Sequence, residues 1–144
     1  LNLGLESLHV RMARHCENGQ AVAEFLAGHP KIAYVNYCGL PGDKYHAVAE
    51  KYLPNGSCGV VSFGVKGGRE AAAAFMGHLK IAAIETHVAD ARTCCLHPAS
   101  STHRQMNDEQ LIAAGVQPDL VRMSCGLEDK NDLIHDIAQA LDQI

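Results

Sequence analysis

The sequence predicts an α/β domain, more narrowly an α+β two-layer sandwich: a small, mostly antiparallel sheet with helices over one face. Three observations lead there. Segments with apolar residues at three- and four-residue steps alternate with short β-branched runs, turn residues separate them, and 144 residues with 47% hydrophobic content suffice for one buried core. The other face of such a sheet is left for further chain to cover.

The elements run in order. Leu5, Leu8, Met12, Val22, Phe25 and Leu26, with Arg11, Arg14, Glu17 and Glu24 between them, predict one long amphipathic helix from about Leu5 to Ala27. Gly28-His29-Pro30 stops it, and Ile32 to Tyr37 reads as a strand before the turn-rich Cys38 to Asp43. A short helix over Tyr45 to Leu53 ends at Pro54-Asn55-Gly56. Cys58 to Val65 is a β-branched run, and Gly67-Gly68 divides it from an alanine-rich helix over Arg69 to Leu79. The glycines of Gly64 to Gly68 lack the Lys-Ser/Thr of a phosphate loop, so a plain turn is expected. Lys80 to Thr86 and Thr93 to Leu96 read as short strands, with a loop between them and a second loop from His97 to Gln105. Asn107 caps a small helix ending at Gly115, and Leu120 to Ser124 forms a strand. Glu128, Asp129 and Asp132 then place negative charge at the start of a last helix with Leu133, Ile134, Ile137, Ala138 and Leu141 on its apolar face.

Composition excludes several functions. A net charge of −4 and 5% aromatic residues do not suit a nucleic-acid binder. No apolar stretch approaches the roughly 18 to 20 residues of a membrane span, and nothing at the start resembles a signal peptide, so no membrane partner and a cytoplasmic location are expected. The six cysteines form no Cys-x-x-Cys pair and read as reduced, mostly packing thiols. Cys94-Cys95-x-His97 with His103 makes a poor zinc pattern, because adjacent cysteines do not easily face one ion, and no metal site is expected. The start, Leu1-Asn2-Leu3, has neither a methionine nor a capping signal and reads as cut from a longer chain.

Arg122 carries the chemistry. A guanidinium inside the apolar run Leu120 to Ser124 needs an anionic partner. A structural ion pair, for instance with Glu128, and capture of a ligand carboxylate through two parallel hydrogen bonds are equally weighted by spacing alone. Ser124 and Cys125 lack the setting of a nucleophile. His97-Pro98-Ala99-Ser100-Ser101-Thr102-His103 reads either as a site wall or as a hydroxyl-rich turn that satisfies its own backbone.

Three blocks then occur in order: His97 to His103; Glu109-Gln110-Leu111-x-x-Ala114-Gly115-Val116; and Asp119-Leu120-Val121-Arg122-Met123-Ser124-x-Gly126-Leu127-Glu128-Asp129. Together they resemble the C-terminal part of the Cys/Met-metabolism PLP-dependent enzymes. The likeness runs through Leu3-Gly4-Leu5-Glu6-Ser7-Leu8 at the start, and Phe63 to Ala72 is most similar to the O-acetylhomoserine sulfhydrylase branch. The resemblance implies the small domain of a fold-type I enzyme, with residues 1–28 as an interdomain helix and 29–144 closing over an amino-acid substrate. It implies that Arg122 binds the substrate α-carboxylate. His87 stands where the family has a Ser or Asn assisting with that carboxylate, and His97, Ser100, Thr102 and His103 become candidates for the site wall. Pyridoxal phosphate would be the parent's cofactor and the parent a homo-oligomer. None of Lys31, Lys44, Lys51, Lys66, Lys80 and Lys130 lies in the family's Ser-x-Thr-Lys setting, so the cofactor-binding domain is expected to be absent, no cofactor is expected on this chain, and the isolated chain is expected to be inactive. In the parent, sulfide or a thiol would replace the acetoxy group of O-acetylhomoserine, with pyridoxal phosphate as electron sink. The alternatives are a domain of a methionine γ-lyase or cystathionine γ-synthase, or a non-catalytic anion-binding module.

Overall fold

A computed structural model describes residues 2–144. Helices α1 (Asn2–Glu6) and α2 (Leu8–Ala27) lead into strand β1 (Ile32–Asn36), helix α3 (His46–Tyr52), strand β2 (Val60–Val65) and helix α4 (Gly68–His78). Strands β3 (Ala83–Ile84) and β4 (Cys94–Leu96), a 3₁₀ turn over Pro98–Ser100, helix α5 (Asp108–Ala113), strand β5 (Leu120–Ser124) and helix α6 (Lys130–Asp142) complete the chain. The sheet has the order β1-β2-β5-β4-β3. Every pairing is antiparallel except β3 with β4. This is the expected two-layer sandwich.

Alternation along the central strands sorts the two faces. Val61, Phe63, Val65, Val121 and Met123 are fully buried beneath the helical layer, against Val22 and Leu26 of α2, Phe75 of α4 and Leu133, Ile137 and Leu141 of α6. Phe63 meets Phe75 edge to face, with centroids 5.8 Å apart. Val60, Ser62, Leu120 and Arg122, the residues between them, point to the opposite face and are only partly buried. Polar ties lock α2 to the end of β5: buried Asn18 donates through Nδ2 to the carbonyls of Gly126 (2.9 Å) and Glu128 (2.8 Å), and His15 Nδ1 lies 2.6 Å from the Cys125 carbonyl. A β-carbon on Gly126 would sit 2.5 Å from the backbone of Ala91, Arg92 and Thr93, so only glycine lets that loop lie against the strand end.

Two expectations are corrected. The first helix is broken at Ser7, and Arg11 bridges the break: its Nη2 donates to the Gly4 carbonyl (2.6 Å) and its Nε to the Ser7 hydroxyl (3.1 Å). The second concerns Lys80 to Thr86, of which only Ala83 and Ile84 pair in the sheet. The buried carboxylate of Asp136 accepts from the backbone N–H groups of Lys80 (2.8 Å), Ile81 (2.9 Å) and Ala82 (3.1 Å), which takes these residues out of any ladder. No described helix is long and apolar enough to cross a membrane.

The 97–103 segment is built around a buried histidine. His97 Nε2 donates to the Pro118 carbonyl at 2.8 Å, Nδ1 lies 2.9 Å from the Ser100 hydroxyl, and the Ser101 hydroxyl donates to the His97 carbonyl at 2.6 Å. Arg69 of α4 clamps the same segment from beneath, donating through Nη1 to the Ala99 carbonyl (2.6 Å) and through Nε to Asp108 (2.9 Å).

Asp136→Ala leaves three inward N–H groups without an acceptor and should lower the unfolding free energy by about 2 to 4 kcal/mol, read as a shifted urea midpoint at unchanged slope. Burial, aided by the nearby Arg69 guanidinium, holds His97 below the ordinary imidazole range. The unfolded chain therefore takes up this proton first, so stability should fall as pH drops below the unfolded value of about 6.5. His97→Gln, which keeps a donor for Pro118, should flatten that acid slope in denaturation curves taken at successive pH values.

Candidate functional site

The partly buried face of β2 and β5 forms the floor of a basin of about 500 Å³. Val60, Ser62, Leu120 and Arg122 supply the floor, Leu96 and Pro98 one wall, and Thr86, Thr102 and His103 the polar rim. Arg122 is paired across the sheet with Ser62 on one side and Leu96 on the other, which fixes where its side chain rises. Its Nη2 donates to the Thr86 carbonyl at 2.8 Å, and its Nε is buried with no hydrogen-bond partner.

No carboxylate lines this basin. The expected structural partner is excluded: Glu128 accepts instead from the Thr93 N–H (2.7 Å) and Thr93 hydroxyl (2.8 Å), holding the start of β4 to the loop before α6. Asp119, next to β5, accepts from the Tyr34 hydroxyl at 3.2 Å on the far side of β2. Arg122 thus forms no ion pair among the described residues. A neutral carbonyl holds the guanidinium in place while part of its donor fork stays open. That arrangement is suited to an incoming carboxylate.

The other named residues divide. Thr102 and His103 stand on the rim beside Arg122, with the Thr102 hydroxyl 2.9 Å from His103 Nδ1. His97 is turned inward to Pro118, and Ser100 is bonded to it, so both brace the rim without facing the basin. His87 does not line the basin either; its Nδ1 lies 3.0 Å from Glu85 and 3.4 Å from Asp90. Two contributors are not singled out by the sequence. Thr86 falls at the end of an expected strand, with nothing to mark its carbonyl as the tether of Arg122. The apolar floor residues Val60 and Leu120 are the second, although their alternation with the buried Val61 and Val121 is a signal of which face they take. Ser124 donates no nucleophile to the basin: its hydroxyl accepts from the Ala89 N–H at 2.9 Å, while burial pushes the Cys125 thiol up to about 12.

A larger hollow of about 560 Å³ lies between α2 and α3, but Glu17 and Glu50 line it and no arginine does, so it is poorly suited to an anion. Lysines are equally absent from the Arg122 basin. Lys31 Nζ donates to the carbonyls of Leu141 and Ile144, Lys66 Nζ to that of Pro30, and Lys130 pairs with Glu17. A cofactor held through a lysine amine does not fit the residues present here.

Comparison with known proteins identifies the family of the chain. The family model described as Cys/Met metabolism PLP-dependent enzyme matches residues 1–142. Homocysteine synthase of Schizosaccharomyces pombe is 45% identical over 139 residues, 96% of this chain and 32% of that protein. O-acetyl-L-homoserine sulfhydrylase of Leptospira meyeri is 45% identical over 98% of this chain and 32% of its own length. An L-methionine gamma-lyase of Fusobacterium nucleatum subsp. polymorphum is 40% identical over 98% of this chain and 35% of its own. The crystal structure of a putative O-acetylhomoserine (thiol)-lyase from Campylobacter jejuni, which contains a pyridoxyl-lysine-phosphate, superposes with a TM-score of 0.89 at 38% identity over 97% of this chain and 33% of that one. The chain spans about a third of the length of these relatives. Because the family model covers nearly the whole chain, the chain belongs to the Cys/Met metabolism PLP-dependent enzymes.

Proposed function

We propose that this chain is the substrate-closing domain of a PLP-dependent O-acetylhomoserine sulfhydrylase, in which Arg122 binds the substrate α-carboxylate. The observation that carries the reading is the state of that guanidinium: it rises into a basin without carboxylates, held by the Thr86 carbonyl, with Nε buried and unpartnered. Only Nη2 is engaged, by a neutral carbonyl, which leaves guanidinium donors that a carboxylate entering the basin can engage. Thr102 and His103 lie close enough on the same rim to contact the rest of a bound amino acid.

Pyridoxal phosphate, when bound to the whole enzyme, supplies the electron sink for replacing a γ-substituent. This chain's part is binding and orientation. The lysine that holds the cofactor belongs to a segment outside residues 1–144, which would cover the open sheet face. Exposed Leu3, Leu5 and Val10 on α1 and α2 offer that segment, or a second copy in a homo-oligomer, an apolar seat. In this reading residues 1–28 run between the domains and 29–144 close the site. The unpaired cysteines fit a reducing cytoplasm, and the product, homocysteine, fits methionine biosynthesis. The similarity to methionine γ-lyases supports a second reading with the same carboxylate arginine.

In an enzyme containing this chain, Arg122→Ala should raise KM for O-acetylhomoserine by about 10- to 100-fold, with a smaller fall in kcat, the pattern of lost uniform binding. Arg122→Lys should recover only part of the loss, because a point charge does not replace a two-pronged contact. Steady-state assays with O-acetylhomoserine plus sulfide against methionine alone separate the sulfhydrylase from the lyase, and an unchanged KM in Arg122→Ala would remove the carboxylate assignment.

A further inference from the structure

Beside the basin, a second group of side chains converges that does not line it. Glu85, at the end of β3, and Cys94, at the start of β4, are brought together by the parallel pairing of Ala83 with Cys94 and Ile84 with Cys95. The loop between the two strands returns His87 and Asp90 to the same point. Their atoms are close: His87 Nδ1 is 3.0 Å from Glu85 Oε2 and 3.4 Å from Asp90 Oδ2, and Cys94 Sγ is 3.9 Å from Glu85 Oε2. One ligand atom from each of Glu85, His87 and Cys94 lies within 4.8 Å of the others.

We infer that Glu85, His87 and Cys94 form a zinc site, with Asp90 or a water in the fourth position. Zinc bonds of roughly 2.0 to 2.3 Å at tetrahedral angles place neighbouring ligand atoms about 3.3 to 3.8 Å apart, close to the 3.0 and 3.4 Å from His87 to the two carboxylates and the 3.9 Å from Cys94 to Glu85. The donor set selects the metal: a thiolate with an imidazole suits zinc and its transition-metal neighbours, whereas magnesium and calcium require oxygen ligands. Charge also balances. A Cys94 thiolate with the Glu85 and Asp90 carboxylates outweighs the single positive charge of Arg92, which donates to Glu85 Oε1 at 3.1 Å and leaves Oε2 facing His87 and Cys94.

The site is held before any ion arrives. Glu85 N–H donates to the Cys95 carbonyl (3.2 Å), Arg92 N–H to Asp90 Oδ1 (3.0 Å), and Ala89 N–H to the Ser124 hydroxyl (2.9 Å). The way in is from the loop side: Cys94 is 1% exposed, whereas the His87 side chain is 58% exposed. This donor set differs from the adjacent-cysteine pattern, since Cys95 is buried in the opposite, helical layer and His97 is bonded to Pro118.

The test is titration of the full chain with Co²⁺ under reducing conditions. We expect thiolate-to-cobalt charge transfer in the near ultraviolet and intense visible bands of low-symmetry cobalt, saturating at a single ion per chain and reversed by Zn²⁺. Cys94→Ser should abolish the charge-transfer band, and His87→Ala and Glu85→Gln should each weaken cobalt binding at least tenfold. Cys16→Ser is the control and should leave the titration unchanged. His87→Ala alters an exposed side chain and keeps the test valid if Cys94→Ser does not fold, which circular dichroism reports. No charge-transfer band on the folded chain, or a band that survives His87→Ala or Cys94→Ser at undiminished affinity, overturns the proposal. The readout needs no catalysis, so it is independent of the carboxylate-binding reading.

Discussion

The pairing of β2 with β5 sets the position of everything else in the domain. In its register Val61 faces Met123, Ser62 faces Arg122 and Phe63 faces Val121. Because side chains alternate across a strand, a slip of one residue in β5 would carry Arg122 into the layer filled by Phe63, Phe75 and Ile137 and turn Met123 outward. An unpaired guanidinium in that layer would be strongly destabilising, and the apolar contacts of Met123 would be lost with it. The same register therefore keeps the core apolar and delivers one cation to the uncovered face.

The acidic residues complete this arrangement by being engaged elsewhere. Glu128 holds the start of β4, Asp119 accepts from Tyr34, and Asp136 organises the chain that leads into β3. Each is used as a backbone or side-chain acceptor at a fixed place. None is within the basin, so Arg122 is left with a carbonyl and an open donor edge. An internal carboxylate at that point would neutralise the guanidinium and compete with any substrate. Glu85 and Asp90, the carboxylates of the neighbouring loop, are likewise engaged outside the basin, with His87 and with the side chain and backbone N–H of Arg92.

That loop connects the two functional readings physically. Thr86, whose carbonyl holds Arg122, lies between Glu85 and His87, so an ion bound by these neighbours would stiffen the segment that positions Arg122. Ala89 adopts a φ of 59° within the same loop, an unusual choice for a residue with a β-carbon, stabilised by its N–H bond to Ser124. The loop is thereby anchored to β5 as well as to β4.

Much of this is legible in the sequence. The alternation of Val60 to Val65 and Leu120 to Ser124, the apolar stripes of α2, α4 and α6, and the cap at Asn107 all depend on neighbours a few residues away, which is why their elements emerge close to the positions that periodicity predicts. Arg122 stands out for the same reason, as a charge inside an apolar period. The sequence leaves open the partners distant along the chain: whether Glu128 pairs with Arg122, that Asp136 claims the N–H groups of Lys80 to Ala82, and that His97 faces inward while Thr102 and His103 face the basin. These were decided by tertiary structure, because a charged or polar side chain reaches several ångströms and takes whichever partner the packed sheet and helices bring to it.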